Sequence, residues 1–318
     1  MPKGIDVSII VVNYNQELLL RQCVQSIIAN TSEINYQIII VDNGSGSFNG
    51  EDFLRDFPDV TIILNKSNIG FASANNAGLQ IADGKYILFL NNDTLLRDNI
   101  IKNVFDFAEK SPQRLFLGCQ LLNSDLSRQE SVAAFPTVWN SFTENFFLYK
   151  LFPRSRCLNK YYQNEIMLTE PAEADVIRGA FMFCPLEEIR KLNGFDANFF
   201  FYSEETDLCY RFKRSGGKIY FLPGFSVVHY GGITSDKDLW FKYKNQATGK
   251  IQYYQKHFRG IRFSAALVFH YIGLLLRWIL NLSTGLLFIN KNKILKGYYF
   301  LRQIFVYPPN RFGKTEQV

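Results

Sequence analysis

Apolar residues come in short unbroken runs through the first third of the chain and in long, helically spaced stretches near its end. Residues 7–12 and 37–41 are β-rich runs, each closing in polar, turn-like sequence. Runs of that length and boundary read as buried strands. Between them, residues 18–29 carry Leu19, Cys23, Ser26 and Ile27 at helical spacing, completing a βαβ unit. Residues 61–64 then precede a helix-like 72–81, and 86–90 end at Asn91-Asn92-Asp93. Strands alternating with helices predict a mostly parallel sheet. In such a sheet the ligand sits beyond the carboxyl ends of the strands, where Asn13-Tyr14-Asn15, Asp42-Asn43-Gly44-Ser45 and Asn91-Asn92-Asp93 all emerge. Farther on, 120–171 are weakly periodic and aromatic. Residues 176–184 read as one strand, 186–192 as a short helix, 208–213 as another helix and 225–228 as a strand ending at His229.

From about Phe263 the chain becomes apolar with sparse basic residues, which divides it into an α/β domain over 1–260 and a helical segment over 261–318. Residues 267–289 are long enough to span a bilayer. They contain His270, Arg277, Asn281 and Thr284, however, and an arginine at a helix centre costs about 2.5–3.5 kcal/mol on insertion scales. The intervals of seven, four and three residues put all four on one helical face. That pattern predicts a helix lying in a membrane interface, with Trp278 and the leucines turned to lipid. The alternative is an amphipathic helix packed on the domain before it.

Charge strengthens the membrane reading. The net charge is +6, yet residues 256–318 hold ten Lys or Arg and one acid, leaving residues 1–255 at about −3. A basic segment this rich in Leu, Ile, Phe and Tyr favours anionic lipid over nucleic acid. Lys291, Lys293 and Lys296 are each worth about 1 kcal/mol near anionic head groups. The first six residues form a short polar lead without signal-peptide character. The α/β domain is therefore expected in the cytoplasm, peripheral on the inner face of the cell membrane. Five scattered cysteines without a CxxC pair read as reduced packing residues, not as zinc or redox ligands.

Several polar residues have chemistry to offer, each with a plainer alternative. Asp42, at a strand end before Asn-Gly-Ser, accepts hydrogen bonds from a base or ribose, or forms an Asx-turn. Asp93 follows a buried strand, where a carboxylate meets a cation bridging two phosphates or merely caps a helix. The stretch Asn68 to Gly78 puts small residues at a helix start, suited to an anion or to tight packing. Glu204, Glu205 and Asp207 lie between Phe199-Phe200-Phe201 and a helix-like run. They either complement a helix N-terminus or supply a general base whose pKa an aromatic wall raises. His229, before two glycines, is a structural histidine or a metal ligand.

As an ordered set over residues 5–235, these clusters resemble the family 2 glycosyltransferases, in particular the bacterial rhamnosyltransferase-like branch. The likeness rests on Val7 to Asn15, Val41-Asp42-Asn43-Gly44-Ser45, Asn68 to Gly78, Leu90 to Asp93, Gly194-Phe195-Asp196 through Tyr202 to Leu208, and His229. It implies the α/β GT-A fold, a Rossmann-like mixed, mostly parallel sheet flanked by helices, here with a C-terminal amphipathic helical extension. It implies nucleotide-sugar contacts at Asn13, Asn15, Asp42, Asn68, Gly70, Asn75, Asn91 and Asn92, and a divalent cation (Mn2+ or Mg2+) on Asp93 with help from His229. Glu205, with Glu204 beside it, takes the place of the base. The family's Asp-x-Asp stands here as Asn91-Asn92-Asp93, and its Glu-Asp pair as Glu204-Glu205. The Gln-x-x-Arg-Trp motif of processive polymerases is missing, which favours addition of a single sugar. The implied activity is inverting transfer from dTDP-rhamnose or a UDP-sugar to a glycan or polyprenyl-linked acceptor in cell-surface polysaccharide synthesis.

Other readings stay open. A nonenzymatic membrane-associated protein on a degenerate transferase fold would explain Asn91 in place of an acid. A nucleotide-dependent oxidoreductase is disfavoured, because the first strand–helix turn, Asn13-Tyr14-Asn15-Gln16, has no glycine-rich fingerprint. Nucleic-acid binding would rest on the basic tail alone.

Overall fold

In the computed structural model, which describes residues 4–155, 157–159, 169–231 and 238–306, the Ile/Val runs become strands buried on both faces. The elements in chain order are β1 (Val7–Asn13), α1 (Glu17–Asn30), β2 (Tyr36–Asp42), α2 (Gly50–Asp56), β3 (Val60–Leu64), α3 (Phe71–Gln80), β4 (Tyr86–Asn91) and β5 (Thr94–Leu95). There follow α4 (Ile100–Glu109), β6 (Leu115–Leu122), β7 (Arg128–Gln129), β8 (Val132–Ala133), α5 (Val138–Asn145), α6 (Leu148–Leu151), β9 (Ala172–Glu173), β10 (Val176–Ile177) and β11 (Phe181–Pro185). The last are α7 (Leu186–Lys191), α8 (Glu204–Arg214), β12 (Lys218–His229), α9 (Leu239–His257), α10 (Ile261–Leu287) and α11 (Lys291–Val306).

Among the described residues, those within 4–133 and 169–231 form one compact unit and those within 134–159 and 238–306 another. This division differs from the expected boundary at 260: α5, α6 and α9 join the C-terminal helices. The reason is visible in α10, which packs on α5 and whose Arg277 bonds to Asn145 there.

The first unit is built on a sheet of order β3-β2-β1-β4-β11-β6-β12-β5. β3, β2, β1 and β4 run parallel, β11 is antiparallel to β4 and β6, and β12 is parallel to β6. Ile9, Ile10 and Val11 in β1, Ile39 to Val41 in β2, and Ile87 to Phe89 in β4 are all fully buried. Each such side chain is worth about 1.5–3 kcal/mol. Strand order reverses between β1 and β4, and register aligns the exits: Asn13 lies opposite Asp42, and Val12 opposite Asn91. Three polar strand ends thus form one row at the carboxyl edge, as the pattern predicted.

Two sequence expectations differ locally. Residues 176–184 are not one strand: β10 pairs with β8 in a separate two-stranded sheet, while β11 joins the main sheet. Arg178-Gly179-Ala180 bridges the two sheets, a pairing no local periodicity reveals. The helix expected over 208–213 begins at Glu204, so the acids occupy its first turn. Four cysteines are buried as expected, and Cys157 is exposed.

The second unit is helical. α10 and α11 form a hairpin, and α10 packs on α5 and α9. Among the described residues α10 is the one helix long and apolar enough to cross a membrane by length and composition. Two residues of its predicted polar stripe are taken up inside the unit. His270 is buried, and Arg277 donates to Asn145 Oδ1 (2.9 Å) and lies 5.0 Å from the Phe147 ring centre. Within the expected stripe, Arg277 therefore turns to α5 instead of water, while Val268, Leu275, Ile279 and Leu286 are left exposed.

Candidate active site

The row at the carboxyl edge is knitted by side-chain amides. Asn13 Nδ2 donates to Asp42 Oδ1 (2.8 Å), and Asn13 Oδ1 accepts from Asn92 Nδ2 (3.0 Å), so one buried amide links the ends of β1, β2 and β4. Asp42 also accepts from the Ser45 hydroxyl (2.6 Å) and backbone N–H (2.9 Å). The Asx-turn and the buried carboxylate are thus the same feature. Asn15, at φ +54°, donates its N–H to Ser45 Oγ (2.8 Å) and accepts from Gly46 N–H (3.1 Å). The first two strand-end loops are held as one piece.

Asn43, which the sequence did not single out, organises the next layer. Its buried amide donates to Asn68 Oδ1 (3.0 Å) and to Gly70 O (3.2 Å), and accepts from Asn65 Nδ2 and Ile69 N–H (both 3.1 Å). Asn68 Oδ1 also accepts from Gly70 N–H (2.9 Å). Gly70 sits at φ +88°, and a Cβ there would come within 2.7 Å of Phe200 O. Phe71 N–H donates to that same oxygen (2.8 Å). The small residues at the start of α3 therefore admit the backbone of the segment that leads into α8. Asn75 is buried inside α3 with its amide on Phe71 O (3.0 Å), and the structure does not bring it to the strand-end cluster through any hydrogen bond. Its neighbour Asn76 instead grips the Phe195 backbone, donating at 2.7 Å and accepting at 2.9 Å.

Asp93 and His229, 136 positions apart in the chain, meet because β12 pairs antiparallel with β5, His229 opposite Thr94. His229 Nε2 lies 3.3 Å from Asp93 Oδ1 and 3.4 Å from Asn91 Nδ2. His229 Nδ1 lies 2.6 Å from Gln129 Oε1. Gln129 Nε2 donates to Asn123 Oδ1 (3.0 Å) and His229 O (3.3 Å), which fixes the amide with its oxygen toward the ring. The ring must then carry its hydrogen on Nδ1, and in the neutral form the Nε2 lone pair faces the Asp93 carboxylate.

Two acceptors 3.3 Å apart, beside an Asn91 Oδ1 that is buried with no partner, fit a cation. The outer amide on the far ring nitrogen is the arrangement that orients ligating histidines. Among the described residues no group of three His, Cys, Asp or Glu could hold a metal. Any further ligands would come from elsewhere, as at Mg2+ sites completed by substrate phosphates. Of the glycines after His229, Gly232 lies outside the described residues.

The acids of α8 reach the same edge through the sheet-to-sheet bridge. A Cβ on Gly179 would lie 3.8 Å from Glu205 Cβ, and the next residue, Ala180, accepts from Asn91 N–H (3.1 Å). Tyr202 and Ser203 precede the helix at φ +73° and +72°, two successive left-handed non-glycine residues. Such strain collects at functional sites. Burial pushes the Glu204 carboxyl well above its ordinary value, the charge of Glu205 adds to this, and Glu204 Oε2 has no hydrogen-bond partner. Burial also raises Glu205, but Arg178 opposes the shift. The adjacent acids are thus driven apart, the pattern that separates a proton holder from a base. Asp207 has a structural role: fully buried, it accepts from Arg211 (2.7 Å), whose other nitrogens bind Leu192 O and Gly194 O (both 2.8 Å).

Of the expected site residues, Asn13, Asn15, Asp42, Asn91, Asn92, Asp93 and His229 gather at the edge, and Glu204 and Glu205 adjoin it. Asn68 and Gly70 shape the neighbouring turn. Gln129 and Arg178 were missed, because each arrives by long-range strand pairing. A cleft lined by Gly4, Asp6, Glu33, Ile34 and Asn35 lies at the opposite, amino ends of β1 and β2, away from these groups.

Residues 8–170 match the family model of Glycosyl transferase family 2. The chain is 25% identical over 232 residues to the rhamnosyltransferase WbbL of Escherichia coli, covering 70% of this chain and 83% of that one. It is 23% identical over 215 residues to the N-acetylglucosaminyl-diphospho-decaprenol L-rhamnosyltransferase of Mycobacterium tuberculosis, covering 63% and 68%. Among solved structures, a mannosyltransferase of Pyrobaculum calidifontis in complex with GDP-Man and Mn2+ aligns with a TM-score of 0.58. It covers 96% of this chain and 87% of that one at 14% identity, which supports the GT-A fold.

Proposed function

The chain belongs to glycosyl transferase family 2, and from that premise we propose that it transfers a single sugar with inversion, from dTDP-rhamnose or a UDP-sugar to a glycan or polyprenyl-linked acceptor. It is a glycosyltransferase with rhamnosyltransferase relatives. Rhamnose leads as the donor sugar because relatives similar over 63–70% of the chain carry that activity in their names.

The carrying observation is the convergence of Asn13, Asp42, Asn91, Asp93 and His229 at one sheet edge, with Glu205 held there beside Gly179. Asp42 and the amides of Asn13 and Asn15 suit the nucleoside. Asn91, Asp93 and His229 suit a divalent cation, whose charge would stabilise the departing diphosphate. Glu205 takes the proton of the acceptor hydroxyl as that oxygen bonds to the anomeric carbon, while the bond from this carbon to the diphosphate oxygen breaks on the opposite face. Arg178 supports this assignment by keeping Glu205 the more readily ionised of the pair. Burial and the neighbouring Glu205 charge raise the Glu204 carboxyl, which favours its protonated form.

The basic tail and the exposed apolar residues of α10 favour work at the cytoplasmic face of the membrane. The test is direct. Purified protein is incubated with dTDP-rhamnose or UDP-sugars, with and without Mn2+, and a polyprenyl-diphosphate-linked acceptor. Cation-dependent release of nucleoside diphosphate with matching glycosylation of the acceptor is expected. A catalytically silent protein whose melting temperature no nucleotide sugar shifts would favour the nonenzymatic alternative.

A further inference from the structure

The turn between α10 and α11 is built against local preference in three ways. Leu286, Leu287, Phe288 and Ile289 are consecutive and 61%, 75%, 68% and 86% exposed. An unbroken run of exposed apolar side chains is costly in water and marks a contact surface. Next, the turn is a Schellman motif: Asn290 N–H donates to Gly285 O (2.8 Å), and Ile289 N–H to Leu286 O (3.3 Å). The residue in the left-handed position of this motif is normally glycine. Here it is Ile289, at φ +49°, where a β-branched side chain is strained. Last, Lys291 and Lys293 stand in the first turn of α11, which holds no acid, so their charges oppose the helix dipole.

A single partner accounts for all three. We propose that the segment Leu286–Ile289 inserts into an anionic lipid surface, with Lys291 and Lys293 on the phosphates of the head groups. Apolar side chains at the tip meet acyl chains, and the lysines beside them, Lys293 Nζ lying 5.7 Å from the Phe288 ring centre, meet negative charge at the depth where it is found. The isoleucine is kept at a glycine position because its side chain is the part that enters. This rests on the membrane-surface reading above and changes its geometry. The hairpin tip leads a contact that the sequence placed along the Trp278 and leucine side of α10.

The full-length chain is floated with vesicles of phosphatidylcholine alone or mixed with phosphatidylglycerol, beside the variants Ile289→Gly, Phe288→Ser and Lys291→Ala/Lys293→Ala. Wild type is expected to float only with the anionic vesicles. The double lysine variant should partition about 25-fold more weakly at low salt, five-fold per charge. Ile289→Gly is the sharpest arm: it should raise the melting temperature by releasing strain while lowering vesicle binding, which a damaged fold cannot do. If wild type floats and all variants float equally, the tip is excluded while membrane binding stands. If wild type does not float, both fail. If the lipid-free chain dimerises in sedimentation and Phe288→Ser abolishes this, the tip contacts a second copy and the proposal is overturned. Transfer to a soluble acceptor, measured in parallel, reports on the sugar-transfer reading separately.

Discussion

The carboxyl edge of the sheet and the α10–α11 hairpin place polar and apolar groups in opposite senses. At the edge, apolar strands are buried on both faces and end in polar residues, of which Asn13 bonds to the Asp42 carboxylate and the Asn92 amide. In the hairpin, Arg277 of α10 turns inward to α5, His270 is buried, and apolar side chains stay outside. A polar cluster at strand ends has bonding capacity left over, as the unpartnered Asn91 Oδ1 shows, and it suits a small polar ligand. An apolar face on a basic hairpin suits a surface.

The largest effect that could break this contrast belongs to the edge. Glu205→Gln should lower transfer about 10²- to 10⁴-fold, the usual worth of a general base, with donor affinity by calorimetry unchanged. Retained turnover would remove Glu205 from the chemistry and leave the edge a mere binding surface. Next comes Gln129. Replacement by Leu keeps the volume but frees His229 Nδ1, and Mn2+ affinity in the presence of nucleoside diphosphate should weaken about 10- to 100-fold. Titration of free Mn2+ by electron paramagnetic resonance reads this without catalysis. Unchanged affinity would mean that the ring orientation at His229 does not serve a cation.

The hairpin supplies the third test. If Arg277 faced solvent, Arg277→Met would move stability by no more than about 0.5 kcal/mol. Bonded to Asn145 Oδ1 and lying over Phe147, it should cost about 1–3 kcal/mol in urea unfolding. A neutral outcome would restore the water-facing stripe.

These regions also differ in how well the sequence foretold them. The strand-end clusters were legible, since uninterrupted Ile/Val runs leave no choice of face and their polar termini announce the edge. For α10 the periodicity showed that His270, Arg277, Asn281 and Thr284 share a face. It could not show which side that face turns to, because the deciding partner, Asn145, is 132 positions away. Gln129 and Arg178 escaped for a related reason. Each acts through β7 or the β10–β11 bridge, whose positions follow from pairing with distant strands.

The smallest expected effect concerns Glu204, and its sign follows from linkage. An unfolded glutamate releases its proton near pH 4.3, whereas in the fold burial and Glu205 hold the Glu204 carboxyl well above its ordinary value. Between those two pH values the folded state binds a proton that the unfolded state has lost, so stability falls as pH rises. The contribution is fully present below the unfolded pKa and is lost through the folded one. Glutamine cannot titrate. Glu204→Gln should therefore melt with wild type at pH 4 and increasingly above it at pH 6 and 8, by calorimetry. Glu205→Gln should show a smaller rise, because Arg178 already offsets part of the shift. Equal gains for the two variants would mean that Arg178 does not distinguish the acids, and the assignment of Glu205 as base would lose its electrostatic support.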